Sequence, residues 1–154
     1  MRHCRAARPA AFPEASPGEL LVQIATDWFY RLPALRLAEA QAQAQARHGA
    51  RAYVYEFAWP SPAFEGTLGA CHVLDVPFVF DNPADPAFTP LLGDFPPQAI
   101  ADSMHAAWVS FATTGDPGRP AYREPHRTVR RFADAPATDH DPRGSLRTLW
   151  DGLR

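Results

Sequence analysis

The sequence predicts an α/β fold made of long helices and a few short strands. Three observations carry that prediction. Apolar residues recur at helical spacing at Leu20, Ile24 and Trp28, and again at Ile100, Met104, Ala107, Trp108 and Phe111. Between these helices the run "ARAYVYEFAW" turns to β-branched and aromatic residues, which favour strands. Apolar residues make up 46% and charged residues 21% of a 154-residue chain, so a buried core is within reach.

The elements follow in order. Residues 1–18 read as an unstructured lead-in and residues 19–154 as the domain. Ser16 caps the first helix and Pro17 suits its first turn, with Glu19 close behind. This helix is expected to end near Arg31, because Pro33 restricts the residue before it. Pro33 then opens a second helix, rich in Ala, Leu, Gln and Glu, which Gly49 stops. A strand over 51–58 carries apolar groups on both faces, so it is expected to be covered on both sides. Proline-rich loops follow, then a helix from Gln98 to Thr114 ended by Gly115 and Pro117. A short strand is expected at Thr128–Phe132 and a last helix around Leu146–Leu153.

Composition excludes several function classes. The net charge of −2 gives no general attraction to nucleic acid or to acidic membranes. All 15 basic residues are Arg, so Lys chemistry such as a Schiff base or a Walker-A loop is excluded. No stretch is long enough to span a membrane. The opening "MRHCRAARPAAFPEASPG" has no continuous apolar segment and makes a poor secretory signal. Cys4 and Cys71 fit a reducing compartment, although a Cys4–Cys71 disulfide is conceivable. A cytoplasmic location is expected, with secretion of a longer parent left open.

Among candidate chemical groups, His72 stands out in "LGACHVLDVPFVF". A lone His in an apolar setting is usually structural, yet His is also the side chain whose proton is available near neutrality. A loop after a buried strand is a place where α/β folds put working groups. Spacing alone leaves both readings open. Cys71 next to His72 lacks partners at zinc-ligand spacing. His105 reads as helix surface or rim. His126 with Arg123, Arg127, Arg130 and Arg131 reads as a solvated basic face. Asp94 and Asp102 have nothing that fixes them as a pair, and Asp102 is expected in the first turn of its helix, where the dipole favours it.

Three ordered blocks go further: "TDWFYRLPALRLAEA" at 26–40, "GACHVLDVPFVF" at 69–80 and "AWVSFATTGDP" at 107–117. With "YVYEFAWPSP" at 53–62, they resemble the C-terminal part of a bacterial type-B carboxylesterase, in the cholinesterase-like and para-nitrobenzyl-esterase-like branch of the α/β-hydrolases. The resemblance covers roughly residues 20–142. It implies the C-terminal part of an α/β-hydrolase fold, with helices, the last sheet strands and an incomplete sheet. It implies that His72 is the catalytic-triad histidine and Asp75 a structural acceptor near the His loop. It implies a small-molecule ester substrate in the complete enzyme, no cofactor or metal, and neither nucleic acid nor membrane as partner.

The family's serine motif, G-x-S-x-G, is absent from this sequence. None of the upstream acids Glu14, Glu19, Asp27 and Glu39 sits in a family acid motif, and Asp27 suits a capping or buried hydrogen-bond role. The isolated chain is therefore expected to be inactive and to need a chain carrying the upstream half. The competing expectation is a non-catalytic remnant serving as an interaction module. In "GDPGRPAY", Arg119 stands where the family commonly has Trp, which puts local packing in question.

Overall fold

The computed structural model describes residues 12–49 and 51–153. Cys4, and with it any Cys4–Cys71 pairing, lies outside them, as does most of the lead-in. The chain divides into two compact units. One takes the N-terminal part to Ala52 with Tyr122–Arg127 and His140–Arg154; the other takes Tyr53–Ala121 and Thr128–Asp139.

The first unit begins with α1, Pro17–Thr26. Ser16 accepts from the Glu19 N–H while the Glu19 carboxylate accepts from the Ser16 N–H, a reciprocal cap. That arrangement holds the Glu19 carboxyl below its ordinary range, through the Ser16 side chain first and its backbone second. The helix does not stop before Pro33. It widens into a π turn, Asp27–Arg31, and continues as α2, Leu32–His48. The Leu32 N–H reaches back five residues to the Asp27 carbonyl. A proline ring clashes with the carbonyl four residues earlier and brings no donor. The wider turn before Pro33 accommodates both defects, so a break becomes a bulge.

Asp27 sits in that bulge, 2% exposed. It accepts from Trp150 Nε1 at 3.2 Å and pairs with Arg31. Trp150 packs with Leu32 and, ring on ring at 5.5 Å, with Trp28. The tail helix α6, Gly144–Thr148, is shorter than the sequence suggests, and Trp150 follows it as an anchor. Arg127 pairs with Glu39 at 3.1 Å, and Arg147 with Asp141 at 2.8 Å.

In the second unit, β1 (Val54–Phe57) pairs in parallel with β2 (Thr128–Phe132), Tyr55 opposite Arg130 and Phe57 opposite Phe132. The sheet order is β1–β2–β3, where β3 is Ala137–His140, a strand the sequence did not suggest. All four β1 residues are half-buried, not enclosed on both sides as expected, because β1 is an edge strand among the described residues. The long helix α5, Gln98–Thr114, packs Ile100, Ala101 and Met104 into a core with Trp59, Leu74, Phe78, Leu92 and Phe132. Its later apolar residues Trp108 and Phe111 stay partly exposed, resting edge-on against Tyr55 and Tyr53. Gly115 ends the helix at φ +74, a left-handed cap open to glycine at little cost. Two four-residue helices, α3 (Val76–Val79) and α4 (Thr89–Leu92), occupy what reads as loop in the sequence.

Two outcomes test the first unit. Asp27→Ala removes the buried acceptor that the Arg31 guanidinium and the Trp150 N–H share, and urea unfolding is expected to show a loss of about 3 kcal/mol. Trp150→Phe keeps the ring packing and should cost less, about 1 kcal/mol. The second outcome concerns acid. The Arg147 hydrogen bond holds the Asp141 carboxyl below its ordinary value, so its contribution is present above pH 3.8 and fades as pH falls through the lowered value. Asp141→Asn should therefore lower stability at neutral pH and leave less to lose on acidification, as followed by denaturant midpoints across that range.

Candidate active site

The site is assembled where the chain leaves β1. Trp59 is buried, and Ser61 beside it is 1% exposed. The Ser61 hydroxyl donates to the Leu91 carbonyl and accepts from the Ala63 N–H. The Ser61 N–H also meets the Gly69 carbonyl at 3.0 Å in an isolated antiparallel bridge. The segment between them loops out and returns, which delivers residues 70–76 beside the sheet.

His72 lies on the turn that follows and is exposed. Val73 next to it takes φ +61, a left-handed conformation that costs a β-branched residue about 1–2 kcal/mol. The flanks hold the turn in place. Cys71 packs against the core, while Leu74, Pro77 and Phe78 are buried. The ring of His72 therefore projects from a short turn whose backbone is fixed immediately after it.

Asp75 ties this turn to the strand. The Tyr55 hydroxyl donates to Asp75 Oδ2 at 2.9 Å. Burial pushes the Tyr55 hydroxyl pKa well above its ordinary value, and the Asp75 charge and hydrogen bond push it further. Tyr55 thus stays a donor and Asp75 an acceptor, the structural role expected of it. A cavity of about 450 Å³ opens beside the pair, with Phe80, His105 and Trp108 among its walls. His72 does not line it. His105 is a rim residue, as expected. Its Nδ1 stands 2.9 Å from the Val79 carbonyl oxygen, which only accepts, so Nδ1 carries the hydrogen.

The other candidates resolve into structure. Arg127 pairs with Glu39 and Glu124 in the first unit, and Arg131 with Asp139 in the second. The His126 ring lies 5.5 Å from that of His140. Asp102 lies past the first turn of α5, not within it as expected, because the helix already starts at Gln98, and it accepts from Gln98 at 3.0 Å. Cys71 is a free thiol. Among the described residues, no group of three or more His, Cys, Asp or Glu side chains is placed to hold a metal ion, and no helix is long and apolar enough to cross a membrane.

The sequence profile of the carboxylesterase family matches residues 11–140. The chain belongs to the carboxylesterase family. This carboxylesterase-family chain is 30% identical over 105 residues to phenmedipham hydrolase of Pseudarthrobacter oxydans, covering 66% of this chain and 20% of that protein. It is 28% identical over 136 residues to para-nitrobenzyl esterase of Bacillus subtilis, covering 84% of this chain and 26% of the relative. Among solved structures, a Geobacillus stearothermophilus carboxylesterase superposes with a TM-score of 0.77 at 33% identity, covering 97% of this chain and 32% of the other. A thermophilic para-nitrobenzyl esterase gives 0.71 at 28% identity, covering 94% and 30%. The chain therefore spans between a fifth and a third of these relatives. Its helices and three-stranded incomplete sheet are the C-terminal part of an α/β-hydrolase fold.

Tyr55 is the residue that sequence reasoning missed. It lies 20 positions before Asp75, and only the return of the loop at the Ser61–Gly69 bridge brings the two together. Tyr55→Phe removes one part-buried hydrogen bond, so unfolding should show a loss of about 1 kcal/mol. Amide hydrogen exchange over 71–76 should quicken in the same variant, whereas unchanged exchange there would mean that the pair does not hold the turn.

Proposed function

We propose that His72 carries the proton in carboxylic ester hydrolysis, and that the nucleophile lies in the part of the family architecture this chain does not span. In that reading a serine hydroxyl attacks the ester carbonyl while His72 takes its proton. Collapse of the tetrahedral intermediate breaks the acyl–oxygen bond, and His72 returns the proton to the departing alcohol. Water then repeats the sequence on the acyl-serine, releasing the acid and restoring the hydroxyl. Backbone amides outside this chain would hold the oxyanion.

The observation that carries the reading is an exposed imidazole on a turn that buried neighbours hold rigidly. Proton transfer needs a ring that a partner group can reach and that keeps its place. Membership of the carboxylesterase family supplies the reaction class. The partner reading has its own support. Phe80 is 70% exposed, and Trp108 and Val109 are partly exposed beside the same cavity, an apolar surface that an upstream segment would cover.

The isolated chain is expected to release no para-nitrophenol from short-chain esters above the buffer rate. Combined with the preceding segment of a full-length relative, it should regain that release. His72→Ala should then lower the rate by about 10³-fold or more, with circular dichroism unchanged. Activity in the combined protein that survives His72→Ala would sink the proposal. Failure of a folded combination to give any rate would favour the non-catalytic interaction module instead.

A further inference from the structure

A second cavity of about 450 Å³ lies in the same unit as β1 and β2, and the active-site reading makes no use of it. Arg119, from the loop after α5, and Arg130, from β2, both line it, along with Ser103, Gly118 and Thr138. Register explains the convergence. Arg130 and Phe132 are two apart on β2 and share a face, and the Arg130 guanidinium carbon lies 5.6 Å from the Phe132 ring centre. That of Arg119 lies 5.9 Å from the same ring. Two guanidinium groups thus lie near one aromatic ring.

Their charge is not compensated within the described residues. Neither Arg119 nor Arg130 pairs with a carboxylate there, and Arg119 Nε is buried without a hydrogen-bond partner. Of the nearby acids, Asp139 pairs with Arg131, and Asp116 accepts from the Gly118 N–H at 2.8 Å. Burial first, and the Arg130 charge second, hold the Arg119 pKa below its ordinary value, as expected of a cation without a counter-charge. A buried, unpaired donor is costly, and guanidinium groups that line one cavity are suited to the oxygens of a carboxylate. The remaining wall is apolar, built from alanines of α5 and prolines of the following loop.

We propose that this cavity binds a small organic carboxylate, its oxygens between Arg119 and Arg130 and its apolar body along α5 and the loop after it. The volume falls within the range of small-molecule sites. His72 does not line this cavity.

The test is titration of the full chain with benzoate, benzamide and inorganic phosphate at constant ionic strength, followed by calorimetry and by the amide resonances of Gly118 and Thr138. Saturable benzoate binding that shifts both resonances is expected, with benzamide inert because it lacks the charge. Arg130→Gln and Arg119→Gln should each weaken benzoate by about tenfold or more, while the exposed Arg123→Gln leaves it unchanged. Should Arg119→Gln fail to fold, Arg130→Gln and the benzoate–benzamide comparison on the unaltered chain still decide. Benzamide binding as tightly as benzoate, no benzoate binding at all, or full affinity in the folded variants would overturn the proposal. Phosphate binding as tightly as benzoate would overturn the organic-carboxylate assignment.

Discussion

The parallel pairing of β1 with β2 is the constraint on which the second unit rests. Parallel strands cannot be joined by a tight turn, so the chain must cross over between them, and here the crossover contains the His72 turn, α3, α4 and α5. Once Tyr55 is opposite Arg130 and Phe57 opposite Phe132, one face of the pair presents all four side chains to the same side. Phe57 meets Phe78 at 5.1 Å and Tyr55 meets Phe132 at 5.9 Å, so the ring contacts join the strand pair to α3. A slip of one residue would turn Tyr55 away from Asp75 and Arg130 away from its cavity.

The local consequence is a division of labour among neighbours in sequence. Leu74, Pro77 and Phe78 are buried, Asp75 binds Tyr55, and His72 is left outside. Burial of the residues that follow offsets the strained backbone at Val73. The turn that carries the imidazole is thus held by its neighbours' packing.

How legible was this in the sequence? The helix about Gln98–Thr114 and the strand near Thr128–Phe132 were legible, the helix because its apolar stripe and the Gly115 and Pro117 breakers agree. The Pro33 break was misread. Proline's local effect is real, but a π turn absorbs it at small cost when Asp27, Trp150 and Leu32 reward continuity. The strand Ala137–His140 could not be read, since "ATDH" carries little strand propensity and forms beside β2 at the sheet edge. Near the proposed site, the acceptor role of Asp75 was legible through the family blocks. Tyr55 was not, since its role depends on a loop closure.

What the sequence determined by itself is what nearest neighbours decide: helix periods, glycine and proline stops, the Ser16–Glu19 cap, and the ordered blocks that mark a carboxylesterase-family chain. Tertiary structure decided which side chains from distant segments meet. It put Tyr55 on Asp75, Trp150 on Asp27, and two arginines over one phenylalanine. The physical reason is range. Propensity and capping act within a turn or two of chain, whereas burial and hydrogen bonding act between whatever surfaces the folded backbone brings within a few ångströms, and no local pattern records those encounters.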